Sequence, residues 1–426
     1  MNDLKNKADN FRKNKEWDKA KEIYENLWNQ NQDKWIGWGL AFCCSRLGDH
    51  KKALEISKIV YDDNQTFNFI KKVYAWSAYS EKIRNFRNND NYSELKSYCL
   101  RIIQITDNIE ENKDDLSKIL TILKMMDFCE SNSLWNELIE WANKINYENL
   151  SKERKISERG NRYSSQLEKY IKYISKAYEN LESWIECKKI LQIGLEYYPD
   201  NFSYKYRLAK ITGLSGDYKT AIKRLKECIK IKKDWYLYKD IGIFYDKLKD
   251  KDNAEKSFIQ SCITVQETPN IEYAINLFHI ISLFYLDTNK DLAKYHYLAS
   301  IGLARDHHWR IKENITNRAK SLDVDINDSI DTNVILKKLK IEWKNIINKY
   351  LTYEHGHIKT ILPNNKAGFI TSENNIDYYF KKNSFNLNDR KKIKAESKVK
   401  FTLEKSFDKK KNKDSLSAIN CSLIQE

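Results

Sequence analysis

Leu208-Ala-Lys-Ile-Thr-Gly-Leu-Ser-Gly-Asp-Tyr-Lys-Thr-Ala221-Ile-Lys-Arg-Leu225-Lys-Glu-Cys228 decides the fold, because the stretch on either side repeats it. Ile174, Leu208 and Ile241 are each followed at once by a small residue: Ser175, Ala209 and Gly242. Twelve places on stand Cys187, Ala221 and Ala254, all small. Four further stand Leu191, Leu225 and Phe258, and three beyond those come Gly194, Cys228 and Ser261. The units are offset by 34 and then 33 residues. Such a period predicts pairs of antiparallel helices. Where two helices cross, a small side chain leaves a gap that a bulky neighbour fills. One pair cannot cover its own apolar stripe, so units must stack and the core must run along the array.

The unit resembles the tetratricopeptide repeat. Its inter-helix turn is matched by Leu181-Glu-Ser-Trp184 and Ser215-Gly-Asp-Tyr218, and its terminal proline by Pro199. Weaker copies extend the array towards the N-terminus. Ala8, Phe11, Ala20, Tyr24 and Leu27 fit one unit, and Ala41, Ala53 and Val60 fit the next around Leu47-Gly-Asp-His50. Helices are predicted at 70–86, 93–105, 116–129 and 135–145, with a loop at 146–161. A last repeat pair falls at 271–286 and 292–304, followed by capping helices at 309–322 and 333–351. In the second cap Leu336, Leu339, Trp343, Ile346, Ile347 and Tyr350 share one face by helical spacing, which should dock on the final repeat.

After Tyr353 the apolar period changes from helical to two, and five short strands fit in the remaining residues, as a small barrel requires. Gly356-His-Ile-Lys-Thr-Ile361, Asn365-Lys-Ala-Gly-Phe-Ile370, Asp377-Tyr-Tyr-Phe-Lys-Lys382 and Ala418-Ile-Asn-Cys421 follow one another in the order of the cold-shock motifs. This stretch is similar to the cold-shock domain, a five-stranded OB-fold. The resemblance implies single-stranded nucleic-acid binding on the outer face, by Lys359, Lys366, Phe369, Asp377, Tyr379 and Lys381. Thr360 stands where the family has a stacking Trp, Ala367 where it has a Phe, and Lys381 where it has a His. Phe369 and Tyr379 remain as stacking residues. Two lost platforms, at about 1–3 kcal/mol each, imply weak binding.

The expected organisation is therefore mainly α: tetratricopeptide repeats over 1–308, degenerate at 66–147, capping helices over 309–351, and a cold-shock-like OB barrel over 352–426. In the repeat family the first helix of each unit lines a concave groove. Lys172, Lys176, Tyr206, Lys210, Tyr236, Lys239 and Lys247 fall on that face and could receive an acidic partner segment or a nucleic-acid backbone. Net charge is +15. Residues 352–426 carry 15 Lys+Arg against 9 Asp+Glu, a surplus of 6, so this last part is about three times more basic per residue than the rest.

Little points to catalysis or metal. No phosphate-binding Gly-rich loop, His-Glu-x-x-His or Gly-x-Ser-x-Gly occurs. His307-His308, His355-Gly-His357 and the carboxylates Asp323, Asp325 and Asp328 lack ligand spacing, so neither a metal nor a cofactor is expected. The eight Cys show no C-x-x-C and read as small core residues in a reducing compartment. Mean hydropathy is −0.74. The opening Met1-Asn-Asp-Leu-Lys-Asn-Lys lacks the apolar core of a signal peptide, so the expected location is the cytoplasm. A non-enzymatic adaptor follows, holding a protein partner on its repeats and single-stranded RNA or DNA on its barrel. The alternative is a protein-interaction scaffold with a degenerate OB domain. The architecture resembles components of bacterial conflict (defence) systems.

Overall fold

The structure is a computed structural model. It describes residues 2–424 apart from 88–90, 108, 110–114, 269–270, 312, 318, 325–330, 364 and 409–412; Asp325 and Asp328 thus lie outside the described residues. The chain packs as two compact units, Met1–Ile231 and Lys232–Glu426.

The first unit is a tetratricopeptide-like stack of antiparallel helix pairs. Asn2–Lys13 pairs with Trp17–Gln30, Lys34–Arg46 with His50–Asp63, Gln166–Asn180 with Trp184–Tyr197, and Phe202–Leu214 with Tyr218–Ile231. One backbone device turns the chain between helices. Lys15, Gly48, Ser133, Glu182 and Gly216 all have positive φ. The N–H after each donates to a carbonyl five residues back: Glu16 to Phe11, Asp49 to Cys44, Leu134 to Cys129, Ser183 to Tyr178 and Asp217 to Thr212. This is the Schellman closure, which satisfies carbonyls that a helix end leaves open. Gly48 and Gly216 adopt it without strain. Asp33, Asp49, Ser165 and Asn201 then cap the helices that follow.

The small positions are where the repeat needs them. Ala20, Ala41, Ala53, Ser175, Cys187, Ala209 and Ala221 are fully buried. The blurred middle of the sequence has a structural reason. Asn68–Ala78 runs into a π turn, Tyr79–Ile83, and the next helices, Tyr92–Asp107 and Leu116–Ser131, reach 16 residues each. The extra lengths take the pattern out of step. The expected loop at 146–161 instead contains a short helical turn, Tyr147–Asn149, and an exposed two-residue hairpin pairing Lys155–Ile156 with Arg162–Tyr163.

In the second unit Trp235–Lys247 and Lys251–Val265 continue the pattern, joined by the same turn at Lys249, where the Asp250 N–H donates to Tyr245. A Cβ on Gly242 would lie 2.6 Å from Phe258 Cδ1. The large residue therefore occupies the space that the small one leaves. Gly242→Leu is expected to cost about 1–3 kcal/mol or more through overpacking, read as a lower midpoint in a circular dichroism melt. An unchanged midpoint would place the repeat in another register.

Ile275–Tyr285 and Lys290–Asp306 form the last pair. Among the described residues, the expected capping helix at 309–322 is two short pieces, Glu313–Thr316 and Lys320–Leu322. Ile315, Ala319 and Leu322 are nonetheless buried, as their helical spacing predicts. The true cap is Thr332–Lys349. Leu336, Leu339, Trp343 and Ile346 are buried against the last pair, with Ile347 and Tyr350 packed beside them. Trp343 stacks on Phe278 at 5.7 Å and its indole N–H donates to His296 Nε2 at 2.9 Å.

The chain then forms β1 (Glu354–Ile361), β2 (Ala367–Ser372), β3 (Asp377–Lys381), β4 (Lys398–Asp408) and β5 (Lys413–Leu423). They close a barrel in the order β1-β2-β3-β5-β4. Only β3 and β5 run parallel; every other neighbouring pair is antiparallel. The barrel has its own core, built on Ile358, Ile370, Phe380, Phe385, Val399 and Phe401. Thr402 departs from simple alternation. A register shift between Lys400 and Thr402 turns it inward, where its hydroxyl accepts from Asn420 and donates to the Ile419 carbonyl.

Candidate nucleic-acid interface

Strand alternation places the barrel's outer residues in cross-strand rows. Thr360 pairs with Phe369, Phe369 with Tyr379, and Tyr379 with Ser417. The middle of this row is aromatic. Phe369 and Tyr379 are half-buried and meet edge to face, with ring centroids 5.9 Å apart. Their neighbours along the strands, Ile370, Tyr378 and Phe380, turn inward and hold the backbone in place. A second row runs from His357 through Thr371 to Asp377, and a third joins Ala367 to Lys381.

The sequence-predicted residues thus share one face, but the two ends of that face differ. Lys359 is exposed and ion-paired with Asp377, which also accepts a hydrogen bond from Thr371 at 2.6 Å. Those bonds, Lys359's first, hold the Asp377 carboxyl below the usual carboxylate range. Asp377 therefore neutralises the lysine at its end. Lys366 and Lys381 lie at the other end. There a depression of about 540 Å³ is lined by Asn365, Lys366, Ala367, Tyr379, Lys381, Lys382, Asn383 and Arg390. Lys382, Asn383 and Arg390 were not singled out from the sequence. They follow β3 in a Lys- and Asn-rich run, and nothing in that run shows which cations fold back beside Tyr379.

The predicted groove residues divide between the two units. In the first, Lys172 is exposed over the Tyr173 ring, Lys176 is paired with Glu130, and Lys210 is 2.7 Å from Glu179. Burial works against the charge on Glu179, but Lys210 and Arg207 outweigh it and hold its carboxyl low. Tyr206 is half-buried. In the second, Lys239 is 3.1 Å from Asp240, Tyr236 meets Trp235 edge to face, and Lys247 is exposed. Lys176, Lys210 and Lys239 spend their charge inside the fold, so each set is less basic than its lysines suggest.

The first unit holds a surface that the sequence pattern does not reveal. Trp35, Trp38, Phe67 and Phe69 lie 4.7–6.0 Å apart between ring centroids. Trp35 is 39% and Phe69 54% exposed. Arg12 lies 4.4 Å from the Trp38 centroid and Arg46 5.1 Å from that of Phe42. The signal was present as Trp35-Ile-Gly-Trp38 and Phe67-Asn-Phe69, but helical spacing reads such residues as core.

A tetratricopeptide-like α-solenoid followed by a closed five-stranded barrel is the class that fold and site define. No family model matches the chain, and no curated protein matches it. Among solved structures, MamA from Desulfovibrio magneticus is similar to it at 14% identity, over 44% of this chain and 96% of its own, with a TM-score of 0.34. Human IFIT1, solved as a dimer with m7Gppp-AAAA, is similar at 12% identity over 81% of this chain and 79% of its own, with a TM-score of 0.39. A tetratricopeptide repeat protein from Thermus thermophilus gives 15%, 55%, 94% and 0.23 in the same terms. Among the described residues no helix is long and apolar enough to cross a membrane, and no group of three or more His, Cys, Asp and Glu could hold a metal ion.

Proposed function

We propose that the chain is a non-enzymatic adaptor whose barrel binds single-stranded RNA or DNA and whose repeats dock a protein partner. The observation that carries this reading is the Phe369–Tyr379 pair, half-open on a barrel face and bordered by Lys366, Lys381, Lys382 and Arg390. Aromatic rings stack on bases of any sequence, while lysines neutralise phosphates. The strand order, with β3 parallel to β5, is that of the OB-fold, and it supports the resemblance to cold-shock domains. On the repeats, the aromatic patch around Trp35 and Phe69, set among Arg12, Lys34 and Arg46, suits a segment with acidic and apolar side chains. A place in a bacterial conflict system, in the cytoplasm, accompanies this reading.

The test is fluorescence anisotropy of the full chain with labelled poly-pyrimidine RNA and DNA at several salt concentrations. The expected result is micromolar or weaker binding that falls with salt, with a slope of about −0.7 per phosphate neutralised. No binding at low salt would leave the barrel as a protein-docking module and the chain as a scaffold.

A further inference from the structure

On the reading of the barrel as a single-strand binder, we infer that the depression beside Tyr379 is a phosphate subsite. It takes the phosphate of the nucleotide whose base stacks on that ring. The reason lies in how charge is distributed over the face. At the end where Lys359 stands, the cation is cancelled by Asp377. At the other end, among the described residues, no carboxylate lines the depression. Lys381 is exposed and carries no ion pair among the described residues. Lys382 Nζ donates to the neutral Asn365 Oδ1, at 3.0 Å. Arg390 is fixed in place, its Nε donating to the Phe385 carbonyl and its Nη2 to the Asn383 carbonyl, each at 2.8 Å. Bonds to neutral oxygens leave the charges of Lys382 and Arg390 in place.

Lys381, Lys382 and Arg390, three of the four cations that line the hollow, repel each other, and an anion entering it relieves that repulsion. They approach from different places: Lys381 from the end of β3, Lys382 from the turn Lys382–Ser384, and Arg390 from the end of the short helix Leu387–Arg390. Charges converging from several sides suit a tetrahedral phosphate better than a planar carboxylate. Tyr379 lines the same depression, so stacking and charge share one wall. The face therefore has a direction, with bases along the aromatic row and the strand's phosphate anchored at the Lys382 end. An internal phosphodiester and a terminal phosphate offer the same chemistry here.

Two measurements on the full chain test this. In the first, Lys381→Gln with Lys382→Gln is compared with Lys400→Gln by anisotropy across salt. The double variant should make the salt slope less negative by about 0.7 for each phosphate no longer neutralised, and Lys400→Gln, on β4 beside His355, should leave it unchanged. If wild type binds the strand and both variants keep its slope, the subsite is refuted while the barrel reading stands. The second is a lysine-acetylation footprint read by mass spectrometry. The probes are a short thymidine oligonucleotide with and without a 5′-phosphate, inorganic phosphate against chloride of equal ionic strength, and poly-glutamate. Lys381 and Lys382 should be protected several-fold more than Lys359 and Lys400 by either oligonucleotide. Extra protection from the 5′-phosphate would identify a terminal phosphate, and equal protection an internal one. If no strand binds, selective protection by inorganic phosphate still supports the subsite. Protection by poly-glutamate alone, or by no probe, overturns it.

Discussion

Replacing Phe369 and Tyr379 together by alanine is expected to abolish measurable binding of a poly-pyrimidine strand. Each ring offers one stacking platform, and a base stacked on an aromatic side chain is worth about 1–3 kcal/mol, so the pair should account for about 2–6 kcal/mol. Even the lower figure is about a 30-fold loss, from an affinity that is already weak. The salt slope should hardly change, because neither ring neutralises a phosphate. Since the two rings also pack on each other, Phe369→Leu with Tyr379→Leu is the control: it keeps apolar area and removes the π face. Both variants should keep the wild-type circular dichroism spectrum and lose binding. A double alanine variant that binds like wild type would place the interface elsewhere.

Trp343→Ala should have the largest effect on stability. The indole is fully buried between Phe278 and His296 on the face that docks the capping helix, and emptying such a site costs about 3–5 kcal/mol. It also leaves His296 Nε2 without its donor in a buried place, at about 1–3 kcal/mol more. Hydrogen exchange of the full chain, followed by mass spectrometry, should show reduced protection over 275–306 and 332–349. Unchanged exchange there would mean that the cap is not held through this residue. Trp343→Phe should restore most of the packing but not the hydrogen bond.

The same pairing predicts a dependence on pH. Burial pushes the His296 imidazole down to about 4, although its hydrogen bond to the Leu292 carbonyl works the other way. Unfolded, the ring titrates near 6.5. Its contribution is therefore full above about pH 6.5 and is lost as pH falls towards 4, because only the unfolded chain takes up the proton in that window. His296→Gln should remove this component from the pH profile of cap protection while other acid-sensitive groups remain.

How far the structure was legible in the sequence follows from where information is carried. The repeats were readable because a crossing demands a small residue at a fixed step, so Ala209, Ala221, Gly242 and Ala254 announce it directly. The barrel strands were readable from alternation, and Phe369 and Tyr379 as outer stacking residues from the family motifs, but their pairing is set by the register of β2 on β3. The unclear stretch at 66–147 lost its step to the π turn and the longer helices. Lys382 and Arg390 could not be found because a turn, not a period, brings them beside Tyr379. Pairing of Lys359 with Asp377 was hidden for a related reason: 18 positions separate them along the chain, and only the antiparallel register of β2 joins them. The aromatic patch at Trp35 and Phe69 was hidden by its spacing, which suits a core as well as a surface.

The barrel's strand order has a consequence for how the chain completes itself. Each helix pair of the repeats joins residues close in sequence, so a repeat can form as soon as it and its neighbour exist. The barrel cannot. β1 must wait for β4, pairing Gly356 with Val399, and both β3 and β4 must wait for β5. Distant pairings form slowly. A chain interrupted before Lys413 would carry finished repeats and two open strand edges, each able to pair with another chain. Truncation there should give aggregation in place of a smaller barrel, and the pairing of β5 with both β3 and β4 makes barrel closure the slow step of folding.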